Sequence, residues 1–316
     1  MTDCAIIGSG ISGTFAALYF KRFGISNISI FDKSRGVGGR LATRRIENGK
    51  FDHGAQYLNI EEIRHVPEIV SLIKNKIIFK WGEMDRYVAE EGMTNISKFL
   101  LSDLDVKKEH KLLRINNLDD KIELVFENGE TFYSKSIIFS CPIPQTIEIL
   151  ENSKIKVKES SFNKLKKIEY NPCIVILIEG KTRADSLEED FGQNFSSGNI
   201  SWIADNNKKR ISERNNFFTV QCSSDFSQLN IDKNYDEIAS LIDKDLRNIF
   251  TDEYKILSNH KWRYSTPKTF YKNELSIDVG KNIFIGICGD AFTNGKFDGA
   301  VKSGINIVTK YLDRYR

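Results

Sequence analysis

The residues of this chain that could do chemistry cluster in its first 57 positions. Gly8-Ser9-Gly10-Ile11-Ser12-Gly13 spaces three glycines as G-x-G-x-x-G directly after the apolar run Cys4-Ala5-Ile6-Ile7. The first glycine permits a tight turn, the second lets backbone approach a pyrophosphate, and the third lets the next helix pack on the strand. Ile11 and Ser12 open that helix, whose unpaired N–H groups and positive dipole end face an anion. Asp32 stands 19 residues beyond Gly13 and closes a second apolar run, Ile28-Ser29-Ile30-Phe31. A carboxylate there accepts hydrogen bonds from an adenosine ribose. A second glycine-rich stretch follows, Ser34-Arg35-Gly36-Val37-Gly38-Gly39-Arg40, and Lys33, Arg35, Arg40, Arg44 and Arg45 fall within thirteen residues. Two glycines beside Arg40 suit backbone folded closely over a ligand, with the guanidinium reaching phosphate oxygens. The chemistry expected of these residues is the binding of a dinucleotide.

Nicotinamide enzymes usually proceed from this point to another helix and strand; here the glycine–arginine segment intervenes. Gly38-Gly39-Arg40-x-x-Thr43 resembles the G-G-R-x-x-[ST] motif of the flavin amine-oxidase superfamily. The run from Asp32 to Arg45, taken with Phe51-Asp52-His53-Gly54-Ala55-Gln56-Tyr57, is similar to bacterial renalase-like proteins. The resemblance implies non-covalent FAD. Gly8, Gly10, Ile11, Ser12, Gly13, Asp32, Lys33, Arg35, Gly39 and Arg40 would serve its nucleotide and phosphates. His53, Gly54, Ala55, Gln56 and Tyr57 would face the flavin. Near the carboxyl terminus, Asn282 to Asp290 reads as a buried strand ending in Gly289-Asp290, and Gly299-Ala300-Val301 as the opening of a last helix. Relatives bring Asp290 to the ribityl–phosphate region and that helix to the pyrimidine edge, where helix N–H groups stabilise the anion of reduced flavin.

These residues need two supporting lobes, and 316 residues suffice for both. The fold class expected is α/β: a Rossmann-like FAD-binding domain of the p-hydroxybenzoate hydroxylase/amine oxidase type, with an α+β second lobe built on a mixed β-sheet. The FAD-binding domain is expected over 1-58, 92-152 and 278-316, and the substrate domain over 59-91 and 153-277. Glu61 to Lys74 is helix-like although Pro67 interrupts it; Gly92 to Leu100 reads as a helix capped by Thr94 or Asn95. Short strands follow from Val106 to Phe139, with Asn128-Gly129 as a hairpin turn. In the substrate lobe, strands are expected at 171–178, 200–204, 217–222 and around Trp262. Tyr235 to Phe250 reads as an amphipathic helix presenting Ile238, Leu241, Ile242 and Leu246 on one face. The polar stretch from Gly180 to Gly198 reads as a loop.

Composition narrows the rest. A net charge of +3, with basic residues spread along the chain, argues against nucleic acid and anionic membrane as partners. The five cysteines are odd in number, far apart and without C-x-x-C, which implies free thiols in a reducing compartment and no zinc site. No apolar run approaches membrane-spanning length and no leader precedes the first strand, so a cytoplasmic location is expected. The oligomeric state is not readable.

The resemblance implies hydride transfer from a substrate carbon to flavin N5 and reoxidation by oxygen, giving peroxide. Its renalase-like branch implies oxidation of 2- or 6-dihydro isomers of NAD(P)H, for which no general base is required. The catalytic candidates are His53, Gln56, Trp262, Tyr264 and Phe292; none is compelling as a base. Trp262 and Tyr264 alternate on a strand and would share a face, with Arg263 on the other, forming either an aromatic wall for a flat substrate or a pair of core aromatics. Gln221 stands where renalase-like proteins often carry histidine. The small-molecule substrate is thus a dihydropyridine nucleotide or an amine. A non-catalytic binding protein of the same fold is the rival from another class, opposed by the intact glycines, Asp32, Arg40 and Gly289-Asp290.

Overall fold

The computed structural model describes residues 1–315 except 83–84, 154, 156, 184–186, 188–191, 213–215, 273–274 and 279–282. The middle of the Gly180–Gly198 loop and Asn282 therefore lie outside the described residues. The chain divides into two compact units. The first comprises Met1–Gly39, Ser97–Glu169 and Pro267–Arg316, and the second Arg40–Ile96 and Tyr170–Thr266.

The first unit is built on a six-stranded sheet in the order Leu275–Asp278, Phe284–Ile287, Ser136–Phe139, Cys4–Ile7, Ile28–Phe31 and Val106–Lys107. All its pairings are parallel except that of Leu275–Asp278 with Phe284–Ile287. Four of these strands are buried at every position, which is why they read as unbroken apolar runs rather than as alternation. Helices Ile11–Arg22 and Phe297–Tyr315 share one apolar core with the sheet, in which Phe20 and Phe284 both meet the ring of Tyr311 edge to face. A three-stranded antiparallel sheet comprises Thr131–Ser134, Ile122–Phe126 and Leu112–Asn117, and its central strand, Ile122–Phe126, carries the clean alternation of a half-buried sheet. Gly129 takes φ +86 in its hairpin turn, beside Asn128, whose side chain accepts from the Glu130 N–H.

The second unit holds a five-stranded sheet in the order Gln193–Asn194, Ile200–Asp205, Phe217–Cys222, Tyr170–Glu179 and Lys255–Pro267. The strand Tyr170–Glu179 is apolar on both faces because both are covered. Ile174, Ile176 and Ile178 pack with Phe226, Ile238, Ile242, Leu246 and Ile249 of the helices Ser224–Asn230 and Tyr235–Ile249. Cys173, Val175 and Leu177 pack with Phe51, Phe217 and Trp262. The helix Tyr235–Ile249 starts in a capping box between Asn234 and Glu237. Leu241 departs from expectation: it is 46% exposed, and Ile249 takes the fourth place on the buried face.

Local details also differ from the sequence reading. The expected helix from Glu61 splits into a 3-10 turn, Glu61–Ile63, and a helix, Pro67–Lys74, because proline is suited to a first helical turn and not to an interior. Neither Thr94 nor Asn95 caps its helix. Thr94 is the first residue of Thr94–Leu100, and its hydroxyl accepts from the Thr43 N–H and donates to the Leu41 carbonyl. The last helix begins at Phe297 and not at Gly299, which lies in its first turn.

Candidate active site

In the first unit the glycine motif is a cradle defined by what it cannot hold. A Cβ on Gly13 would lie 2.2 Å from the Gly8 carbonyl oxygen, and one on Gly8 2.8 Å from the Ser140 hydroxyl. A Cβ on Gly10 would meet nothing within 4 Å. The glycines at 8 and 13 thus let strand and helix close on each other, while Gly10 fronts open space. The helix Ile11–Arg22 has Gly10 as N-cap, no side-chain cap and no acid in its first turn, so its leading N–H groups remain available to an anion. The Asp32 carboxylate is 8% exposed and fixed. Its Oδ2 accepts from the Ser9 N–H at 2.9 Å and the Ser9 hydroxyl at 2.6 Å, and its Oδ1 from the Ser34 N–H at 2.8 Å. Gly39 follows the same path: with φ +55, its Cβ position lies 3.4 Å from the Gly10 Cα. Lys33 is exposed, and Arg35 is 93% exposed with a 3.4 Å pairing to Glu109.

The carboxyl-terminal segment joins this cradle. The Ser12 hydroxyl donates to the Ala300 carbonyl at 3.0 Å, and a Cβ on Gly304 would lie 2.3 Å from the Ser12 carbonyl oxygen. Residues 8–13 and 289–304 are therefore neighbours. The Gly289 N–H donates to the Ser303 hydroxyl at 3.0 Å, and Gly289 has φ +156. Asp290 and Phe292 are buried, the latter edge to face with Tyr271 at 6.3 Å. Gly299 has no room for a side chain beside Asn294 and Thr293, while Val301 is wholly buried.

In the second unit, the segment His53–Tyr57 is positioned almost entirely by its backbone. The His53 N–H donates to the Ala42 carbonyl and the Ala55 N–H to that of Arg40, each at 2.9 Å. A Cβ on Gly54 would sit 1.9 Å from the Arg40 carbonyl oxygen, so only glycine fits. The Gly54 carbonyl accepts from Gln56 Nε2 at 3.0 Å and Gln221 Nε2 at 2.9 Å. The glutamine at 221 thus orients the segment directly. Arg40 donates from one guanidinium nitrogen to the Ser265 carbonyl at 2.8 Å. Tyr57 packs on Trp202 at 5.6 Å under the Arg86 guanidinium.

Beneath this segment lies an ion pair that sequence reasoning missed. Lys209 Nζ meets Asp52 Oδ2 at 2.7 Å with both side chains fully buried, and reaches Gln56 Oε1 at 3.5 Å. Asp52 Oδ1 accepts from the Thr43 hydroxyl at 2.7 Å and the Met93 N–H at 2.9 Å, while the Asp52 N–H donates to Asn206. Burial pushes the Lys209 ammonium below its ordinary range, and Asp52 opposes that shift. Lys209 sits in the polar run Asn206-Asn207-Lys208-Lys209-Arg210, which reads as a solvated loop and carries no signal of burial.

His53, His260 and Trp262 form an aromatic cluster. His53 stacks on Trp262 at 5.6 Å and meets His260 edge-on at 4.7 Å, while Trp262 Nε1 donates to the His53 carbonyl at 2.6 Å. Tyr264 packs on Tyr170 at 5.7 Å, and Arg263 pairs with Asp232. Burial, then His260 and the Arg44 guanidinium, lower the His53 imidazole to about 3. Burial and Arg44 lower His260 to about 4.

The family model described as flavin containing amine oxidoreductase matches residues 76–310, and one described as NAD(P)-binding Rossmann-like domain matches residues 6–70. The chain belongs to the flavin-containing amine oxidoreductase family. It is a renalase-like member: renalase of Mus musculus is 22% identical over 347 residues, covering 100% of each chain. Among solved structures, a putrescine oxidase mutant aligns with TM-score 0.74 at 11% identity over 99% of both chains. A CLA-producing fatty acid isomerase from P. acnes aligns with TM-score 0.67 at 12% identity over 98% of both chains. At these identities the structures speak for the fold alone, which is the α/β, Rossmann-containing fold with a mixed sheet. The protein is an FAD-dependent oxidoreductase. The open space over Gly10, the uncapped helix and the fixed Asp32 fit the nucleotide end of FAD. Among the described residues no helix is long and apolar enough to cross a membrane.

Proposed function

We propose that this chain oxidises 2- and 6-dihydro isomers of NAD(P)H to NAD(P)+, with oxygen as acceptor and hydrogen peroxide as coproduct. The nucleotide gives up a hydride, and oxygen takes those two electrons with two protons. Bound FAD supplies the redox chemistry, accepting hydride at N5. Gly8, Gly10, Ile11, Ser12, Gly13, Gly39 and Arg40 would hold its pyrophosphate, Asp32 its ribose, and Gly54, Ala55 and Gln56 its flavin portion. Gly289, Asp290, Gly299, Ala300 and Val301 would serve the ribityl chain and the pyrimidine edge.

One observation supports the substrate class: the two imidazoles beside Gly54 are packed into an aromatic cluster with Trp262, with His260 Nδ1 facing the Arg44 guanidinium, and burial lowers both from their ordinary range, His53 to about 3 and His260 to about 4. An alkylamine is mostly an ammonium at neutral pH and must lose a proton before its α-carbon can yield a hydride. A base poised near the working pH would take that proton, and neither imidazole is one. A dihydropyridine needs no base, because aromatisation drives hydride loss.

A flavin amine oxidase is the second reading, favoured by the family match itself. Anaerobic titration of the yellow holoprotein separates the two. The proposal predicts bleaching by the dihydropyridine isomers and not by a panel of primary and secondary amines; bleaching by amines alone would reject it.

A further inference from the structure

Among the described residues, no carboxylate neutralises the charge of Arg44. Its guanidinium donates to the Ser258 hydroxyl at 3.1 Å and to His260 Nδ1 at 3.3 Å, both neutral acceptors. Since arginine only donates, His260 Nδ1 must accept, which places the His260 proton on Nε2 and leaves the imidazole neutral. Among the described residues Arg44 forms no ion pair with a carboxylate, although its side chain is half-buried. Beside it, the His53 ring is 7% exposed, and its Nδ1 makes no hydrogen bond. A half-buried cation with no counter-ion among the described residues and a buried imidazole nitrogen without a hydrogen bond thus lie in one cluster, beside Gly54. Both are costly features unless something else satisfies them.

We infer that Arg44, braced by Ser258 and His260, is a subsite for the phosphate groups of an anionic nucleotide substrate. The planar guanidinium suits phosphate oxygens, and His53 offers one further polar contact. The same charge repels an ammonium, so the subsite favours the dihydropyridine nucleotide over an amine. This rests on the proposed activity but is tested separately from it.

The experiment uses the holoenzyme of the wild type, Arg44→Lys and Arg44→Met. Donors are a dihydro isomer of NADH and the matching isomer of an uncharged N-alkyl dihydronicotinamide; inorganic pyrophosphate is the inhibitor. We expect pyrophosphate to compete with the nucleotide in the wild type. In Arg44→Met the ratio of kcat/KM for nucleotide over uncharged donor should fall roughly ten- to hundredfold, the loss of a charge-assisted contact. Pyrophosphate affinity should fall in parallel, and Arg44→Lys should keep part of both. Equal losses on the two donors, or no competition by pyrophosphate in the wild type, overturn the inference. Should the wild type oxidise neither donor, the activity reading fails. Calorimetry of pyrophosphate binding then decides the subsite alone, and equal or absent binding in wild type and Arg44→Met overturns it. If Arg44→Met does not retain flavin, Arg44→Lys and the wild-type competition decide it.

Discussion

Asp52 and Lys209 show how a single buried pair can brace a site from beneath, through Gln56. Asp52 follows the last apolar position of its hairpin, and its two oxygens are shared between Lys209, Thr43 and the Met93 N–H. Removing only the cation would leave a buried, uncompensated carboxylate. Lys209→Met should therefore cost about 3–5 kcal/mol in urea denaturation. The double variant Asp52→Asn, Lys209→Met should recover much of that loss; a double variant as unstable as the single one would contradict this role. The two histidines make a second prediction. Both are lowered from 6.5, to about 3 at His53 and about 4 at His260. The unfolded chain then binds protons that the folded chain refuses, so stability falls as pH drops from about 6.5 toward 3 and gains nothing from them above 6.5. Thermal melting of His53→Gln over that range should show a shallower decline than the wild type. Identical slopes would remove His53 from the acid response.

At the scale of elements, two glycines that look alike in sequence do opposite things. Gly10 could accept a methyl group without touching protein, whereas Gly304 could not, because its Cβ would press on the Ser12 carbonyl where the first and last helices cross. Gly10→Ala should keep the apoprotein's melting temperature and lose FAD affinity. Gly304→Ala should destabilise the fold itself by about 1–3 kcal/mol, as overpacking does. Melting of apoprotein and FAD titration separate the two outcomes, and a matching pair of losses would refute the distinction. The strands and the first helix were readable because glycine spacing and unbroken apolar runs have one simple structural solution. Asp32 was readable for the same reason, as the residue that ends the second strand. Thr94 was not, since a threonine before a helix serves equally as a cap or as a partner for Thr43. Nor was Lys209, because its burial is decided by tertiary partners that leave no periodic trace in a polar loop.

For the whole molecule, the family, the FAD requirement and the α/β architecture follow from matches that span most of the chain. The first unit brings the two ends of the sequence together, through Ser12, Ala300 and Gly304. The second gathers around Gly54 two buried imidazoles, the amides of Gln56 and Gln221, the buried pair of Asp52 and Lys209, and Arg44, which meets no carboxylate among the described residues. Neither imidazole is a base near neutrality, which suits an oxidation in which the substrate supplies its own driving force. The most direct test is to supply the aerated holoenzyme with a 6-dihydro isomer of NAD(P)H and quantify nucleotide and peroxide in one sample. The account predicts NAD(P)+ and hydrogen peroxide in equal amounts. An unchanged isomer, alongside amines that are converted with peroxide release, would contradict it.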